Sequence, residues 1–141
     1  MGLTIYANNE PLSFDMGGGG FFDLRSNICK IFDKELGEVY SEIPYALLGA
    51  RNEINKRINE ILSDDRFSDD DEDIVEFLFA SDCEGKISHK TCEKIYDLIK
   101  DIDFGNSYFQ YTNRRKPEGD YEAFKIFLKN CYSNHRKMRW C

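Results

Sequence analysis

The chain has 141 residues, 41% of them hydrophobic and 32% charged, with a formal net charge of −7. This is the length and composition of one globular domain, 1–141, rather than of a disordered chain. No apolar run approaches the roughly 18 residues of a membrane helix, no export signal is evident, and the acidic balance disfavours direct contact with nucleic acid.

Residues 3–7 alternate apolar and polar, Asn8, Asn9, Glu10 and Pro11 give a turn, and residues 12–15 alternate again. This predicts an N-terminal β-hairpin over 1–16. The four glycines 17–20 then read as a flexible turn. A Gly-rich stretch ahead of a helix can cradle phosphate, but this one lacks the Lys and Ser/Thr of a P-loop and has no GxGxxG spacing. Phe21, Leu24, Ile28, Ile31, Phe32 and Leu36 recur at helical spacing, which predicts a helix over 21–36 with Gly37 as its stop.

A second helix is predicted over 45–62, with Leu47, Leu48, Ile54, Ile58, Ile61 and Leu62 as its apolar stripe. Ser68, with Asp71 three residues on, is a capping signal for a third helix over 70–80. Ile74, Val75, Phe77, Leu78 and Phe79 make that helix apolar on more than one face and predict deep burial. Residues 81–86 read as a turn. Ser88 caps a fourth helix over 89–101, with Ile95, Leu98, Ile99 and Ile102 inward. Residues 103–118 read as a loop containing Tyr108, Phe109 and Tyr111. A fifth helix spans 119–133, carrying Tyr121, Phe124, Ile126, Phe127, Leu128 and Cys131. The fold class expected is α+β, mainly helical, with the hairpin followed by about five helices over 21–141.

Charge is uneven along the chain. Residues 1–73 carry 16 acidic and 7 basic side chains, and residues 74–141 carry 10 and 12. Glu60, Asp64, Asp65, Asp69, Asp70, Asp71, Glu72 and Asp73 fall close together, while Arg114, Arg115, Lys116, Lys125, Lys129, Arg136, Lys137 and Arg139 make the end of the chain basic. The acidic run has two readings: a solvated loop that favours the following helix N-terminus, or a surface that meets a basic partner.

Cys29, Cys83, Cys92, Cys131 and Cys141 are an odd set without an export signal, which predicts a reducing, cytoplasmic setting. Cys29 reads as core. For the others the alternatives are small core residues or a closed structural zinc, with Cys83, Cys92, Cys131, His135 and Cys141 as candidate donors. Cys131 and His135 are four apart and share a face if the last helix continues. Residues 80–91 look like a degraded EF-hand loop, with Gly85 at the turn, but Ala80 and Thr91 replace the terminal carboxylates, so calcium is not expected. His89 and His135 are the only histidines. No GxSxG, Walker, Rossmann or HExxH pattern occurs, so no enzyme activity is expected and a carboxylate-based enzyme is a minor alternative.

The opening residues Met1, Gly2, Leu3, Thr4 and Ile5, the segment from Phe22 through Asp23, Leu24 and Arg25 to Ile28, the run Ser81, Asp82, Cys83, Glu84 and Gly85 followed by Cys92, and the terminal Trp140 and Cys141 carry a resemblance. The chain resembles a group of short proteins of Gram-positive bacteria and their phages and mobile elements that carry an SDC[DE]G-x6-C element. The resemblance implies a cytoplasmic mobile-element protein and no assigned activity. With the small size and acidic charge, the leading expectation is a non-enzymatic inhibitor of a host defence component, a monomer or small homo-oligomer. Its most concrete form is an anti-CRISPR protein that blocks nucleic-acid loading by an RNA-guided type II CRISPR nuclease, with carboxylates standing in for phosphates. The alternatives are a nucleotide-signal sequestering protein using residues 17–20, Arg25 and residues 108–116, and a zinc-stapled structural or regulatory module.

Overall fold

The computed structural model describes residues 2–7, 13–46, 48–81, 83–103 and 120–141. The expected loop with Tyr108, Phe109, Tyr111 and Arg114 to Lys116 lies outside the described residues, as do Leu47 and Asp82. The architecture is α+β and mainly helical, as the periodicity predicts: six α-helices and a four-stranded antiparallel sheet among the described residues.

Strands β1 (Gly2–Ala7) and β2 (Ser13–Gly17) form the expected hairpin, with Ile5 opposite Phe14 and Tyr6 opposite Ser13. The four glycines are not a flexible turn. Gly17 closes β2, and Gly18 opens helix α1 (Gly18–Phe32) directly. The predicted helix over 21–36 is in fact two. Asp33 adopts extended backbone, φ −156° and ψ 116°, and its carboxylate accepts the Leu36 amide at 3.0 Å, which starts a new helix, α2 (Lys34–Tyr40). An N-cap in mid-segment outranks continued apolar spacing because it satisfies donors that the break would otherwise orphan. Gly37 is therefore inside α2 and is not a stop. A Cβ there would fall 2.5 Å from Lys30 Cα and Cγ, so glycine lets α2 fold back tightly on the end of α1.

A 3-10 turn (Ile43–Tyr45) precedes helix α3 (Leu48–Leu62), which buries Ile54, Ile58 and Ile61 at spacings of four and three. Helix α4 (Glu72–Phe79) follows a 3-10 turn (Asp69–Asp71) closed by the expected capping box, in which the Ser68 amide donates to Asp71 Oδ2 at 2.9 Å. Ile74, Phe77 and Leu78 are buried, whereas Phe79 is 38% exposed, so α4 is less enclosed than its composition predicts.

The region expected as a turn over 81–86 contains strand β3 (Gly85–Ile87). Helix α5 (His89–Ile99) follows, with Ser88 Oγ accepting the Thr91 amide at 3.2 Å. Ile102 falls outside it and is 37% exposed. Helix α6 (Asp120–Ser133) buries Tyr121, Phe124, Leu128 and Cys131, a stripe at three and four residues, and leaves Ile126 62% exposed. Lys125, read as part of the basic end, is buried. Its ammonium donates to the Ile102 carbonyl and to Glu122 Oε1 at 2.8 Å.

The last strand, β4 (Met138–Trp140), has no counterpart in the sequence reading. It sits between β1 and β3, in the order β2-β1-β4-β3, with Trp140 opposite both Ile5 and Gly85 and Met138 opposite both Ala7 and Ile87. Alternation fixes its faces: Met138 and Trp140 are buried and Arg139 is not. The Trp140 indole donates to the Ser81 carbonyl at 2.9 Å and meets the Phe21 ring at 5.4 Å.

The chain forms two compact units. The first comprises 1–24 and 79–141, holding the sheet, α5 and α6 around Ile5, Ile95, Phe124, Leu128 and Trp140. The second is the uninterrupted stretch Arg25–Leu78, built around Ile28, Leu36, Ile58, Phe77 and Leu78. Among the described residues no helix is long and apolar enough to cross a membrane.

Candidate functional site

Charge follows the division into units. Arg25–Leu78 holds fourteen acidic and seven basic residues, a net of −7, which is the charge of the whole chain. The remainder holds twelve of each. The acidic run expected as an interface lies wholly in the second unit. Glu60, Asp64, Asp65, Asp69, Asp70 and Glu72 are exposed, while Asp71 and Asp73 are half-buried. Asp71 is committed to the capping box and Asp64 accepts the Arg66 amide at 2.9 Å, so these two also order the chain locally.

Arg66 organises the neighbourhood. Its Nε and Nη2 donate to the two oxygens of Asp33 at 2.7 and 3.2 Å, the paired geometry that suits a guanidinium, and Asp64 and Glu35 lie at 3.4 and 3.6 Å. The guanidinium lies 4.8 Å from the Phe67 ring centroid, and Phe67 meets Phe32 at 5.8 Å. The hydrogen bond from Arg66, with help from the Leu36 amide, holds the Asp33 carboxyl below the usual carboxylate range despite some desolvation. One arginine thus ties the segment before α4 to the junction of α1 and α2.

Two shallow grooves share Arg57, and the first takes in Glu35, Asp64 and Arg66 of this cluster. One, of about 340 Å³, is lined by Glu35, Val39, Arg57, Glu60, Ile61, Asp64 and Arg66. The other, of about 550 Å³, is lined by Ser41, Glu42, Tyr45, Ala46, Ala50, Glu53, Ile54 and Arg57. Arg57 pairs with Glu42 at 2.9 Å in the open. Tyr45 is 86% exposed, the largest exposure of any large apolar side chain described. Sequence reasoning missed Tyr45, Arg57 and Arg66. Pro44 beside an aromatic in a polar stretch is the only sequence signal that marks Tyr45.

The expected metal donors separate. Cys92 on α5 and Cys131 on α6 are fully buried and hydrogen-bonded to each other, and that bond, then burial, pushes the Cys92 thiol well above the ordinary thiol range. Cys83 and Cys141 are exposed. Cys141 follows the end of β4, three residues beyond Met138. Its own backbone pairs with Thr4. His135 instead meets His89, which the sequence reading passed over: the rings stack at 4.7 Å and 12°. Cys29 is buried as expected, and desolvation pushes its thiol up to about 12. Among the described residues no three His, Cys, Asp or Glu side chains converge as a group ready to hold a metal.

The other sequence motifs have local structural uses. Gly85 lies against the Trp140 indole and Ser88 is the cap of α5. Arg25, offered as a phosphate ligand, is 4% exposed, and its Nη1 donates to the Phe77 carbonyl at 3.3 Å. No protein-family model, no curated protein and no solved structure matches the chain.

Proposed function

We propose that the chain is a non-enzymatic inhibitor that binds a basic surface of a host protein through the unit Arg25–Leu78. The supporting observation is the segregation of charge: this unit carries the full −7 while the rest is neutral. A surface of one sign steers encounter with a partner of the other and repels nucleic acid. Tyr45, exposed beside Glu42 and Arg57, supplies the kind of rigid aromatic anchor that carries binding energy within a polar rim. The partner proposed is an RNA-guided type II CRISPR nuclease, whose basic channel holds nucleic acid by its backbone. Exposed carboxylates such as Asp65, Asp69, Asp70 and Glu72 would occupy phosphate positions and block loading. The resemblance to mobile-element proteins favours a defence component as the target.

The test uses a purified type II nuclease without its guide RNA. Expected are a complex that weakens steeply with salt and a nuclease that no longer loads guide RNA. A variant with Asp65, Asp69, Asp70 and Glu72 changed to Asn or Gln should lose at least about tenfold in affinity, mainly by slower association. No complex with the nuclease, or one indifferent to these substitutions, rejects the proposal.

A further inference from the structure

We infer that the groove between the Ile43–Tyr45 turn and the first half of α3 docks a basic amphipathic helix of the partner protein, a contact that rests on the reading of Arg25–Leu78 as the binding unit. The groove has a volume of about 550 Å³ and lies wholly within that unit. Its apolar lining is Tyr45, Ala46, Ala50 and Ile54. Ala50 and Ile54 stand four apart and share a face of α3, Ile54 buried and Ala50 exposed. Side chains this small let a second helix come close, and Gly49, next to Ala50, has nothing within 4 Å of the place a Cβ would take. Tyr45 is 86% exposed on a turn that is already fixed. Pro44 restricts the backbone, and the Tyr45 and Ala46 amides donate to the Glu42 and Ile43 carbonyls at 3.1 and 3.3 Å. An aromatic ring held out on a rigid turn loses little freedom when a partner covers it.

Charge selects the occupant. Glu42 and Glu53 line the groove, and among the described lining residues Arg57 is the one cation, drawn to Glu42 at 2.9 Å. Glu60, one turn beyond Arg57 on α3, belongs to the neighbouring groove that shares this arginine. One guanidinium therefore stands among three carboxylates, in a unit whose net charge is −7. A second copy of the chain would set another −7 unit against the first, and nucleic acid or an anionic membrane surface would be repelled in the same way. A helix rich in lysine or arginine is attracted instead. One apolar residue of that helix seats against Tyr45 and Ala50. Basic residues three or four positions away on the same face then meet Glu42 and Glu53.

The probe is a fluorescein-labelled peptide of lysine with leucine at helical spacing, titrated with the full chain and followed by anisotropy. Expected is saturable binding that strengthens as salt falls. Tyr45→Ala and Ala50→Gln should each weaken it at least about tenfold. Asn52→Gln, at an exposed position on another face of α3, should leave it unchanged. All three variants should keep the circular dichroism of the parent, because the side chains replaced are exposed. A peptide with serine in place of leucine should bind at least about tenfold more weakly. No saturable binding, or binding that Tyr45→Ala and Ala50→Gln leave intact, overturns the inference. So does a dimer, seen by sedimentation of the parent, that Tyr45→Ala dissolves. The nuclease partner is judged separately. Peptide binding that depends on Tyr45 and Ala50, in a chain that no type II nuclease captures, keeps the groove and removes that partner. Nuclease binding lost in the carboxylate variant but unchanged in both groove variants keeps the partner and removes the groove.

Discussion

A methyl group added at Gly85 would enter the indole of Trp140. An ideal Cβ there falls 2.5 Å from Cε2 and 2.8 Å from Cη2, well inside van der Waals contact. The ring cannot yield cheaply. It is 1% exposed, its N–H is held by Ser81, its face meets Phe21, and its backbone is paired on both sides by Ile5 and Gly85. Overpacking of a core costs about 1–3 kcal/mol, and dislodging the indole from its carbonyl adds about 1 kcal/mol. Gly85→Ala should therefore destabilise by about 3 kcal/mol. Trp140 is the only tryptophan and is buried, so its fluorescence reports unfolding of this region. With an m-value of about 2 kcal/mol/M the urea midpoint should fall by about 1.5 M. Gly49→Ala is the matched control. Nothing lies within 4 Å of a Cβ there, and the position is in α3, so a gain of up to about 1 kcal/mol is expected, read by circular dichroism. A Gly85→Ala protein within about 0.5 kcal/mol of the parent would refute the packing argument.

Four further outcomes are expected. The Asp33 carboxyl is held low by Arg66, so its contribution is present above the unfolded carboxylate value of about 3.9 and is lost as pH falls through the lower folded value. Arg66→Ala should flatten that acid limb, while Asp33→Ala should in addition cost about 1 kcal/mol for the lost cap; urea midpoints across pH 2–7 decide. Tyr40 donates its hydroxyl to the Leu78 carbonyl at 2.5 Å in a buried setting, and Tyr40→Phe should cost about 1–2 kcal/mol in the same assay. A thiol reagent should label Cys83 and Cys141 quickly and Cys29, Cys92 and Cys131 only on unfolding. Because the Cys29 thiol is raised to about 12, its stabilisation is complete below the unfolded thiol value and lost as pH climbs toward 12. Cys29→Ala should make the alkaline fall in stability shallower by up to about 1.4 kcal/mol per pH unit.

The helices were legible because burial imposes a period of three and four, and because caps such as Ser68 and Ser88 announce their starts. Strands of three residues carry no period to read. Lys86 and Ile87, or Arg139 and Trp140, look like any loop until they are paired across more than fifty residues. Glycines misled for a related reason. Gly37 and Gly85 are small because Lys30 and Trp140 occupy the space opposite, and for Gly85 that neighbour is distant in sequence. Asp33 falls inside the helix predicted over 21–36 because only the arrival of Arg66, thirty-three residues on, marks it as a junction. The acidic run was evident from composition. Its confinement to one unit was not, and neither was the partnership of His89 with His135, which depends on α5 and α6 meeting.

The order of the strands has a consequence for synthesis. A ribosome delivers Arg25–Leu78 as one continuous piece, and every contact within that unit is available once Leu78 has emerged. The sheet is different, because β4 stands between β1 and β3 and is translated after both. Until then β1 has an open edge on one side and β3 has no paired strand at all, the kind of edges that recruit stray strands from other chains. Domains tend to fold as units in the order in which they appear. Here the acidic half can acquire its shape while the nascent sheet still waits for its closing strand, so defects in late translation should harm solubility before they harm the acidic surface.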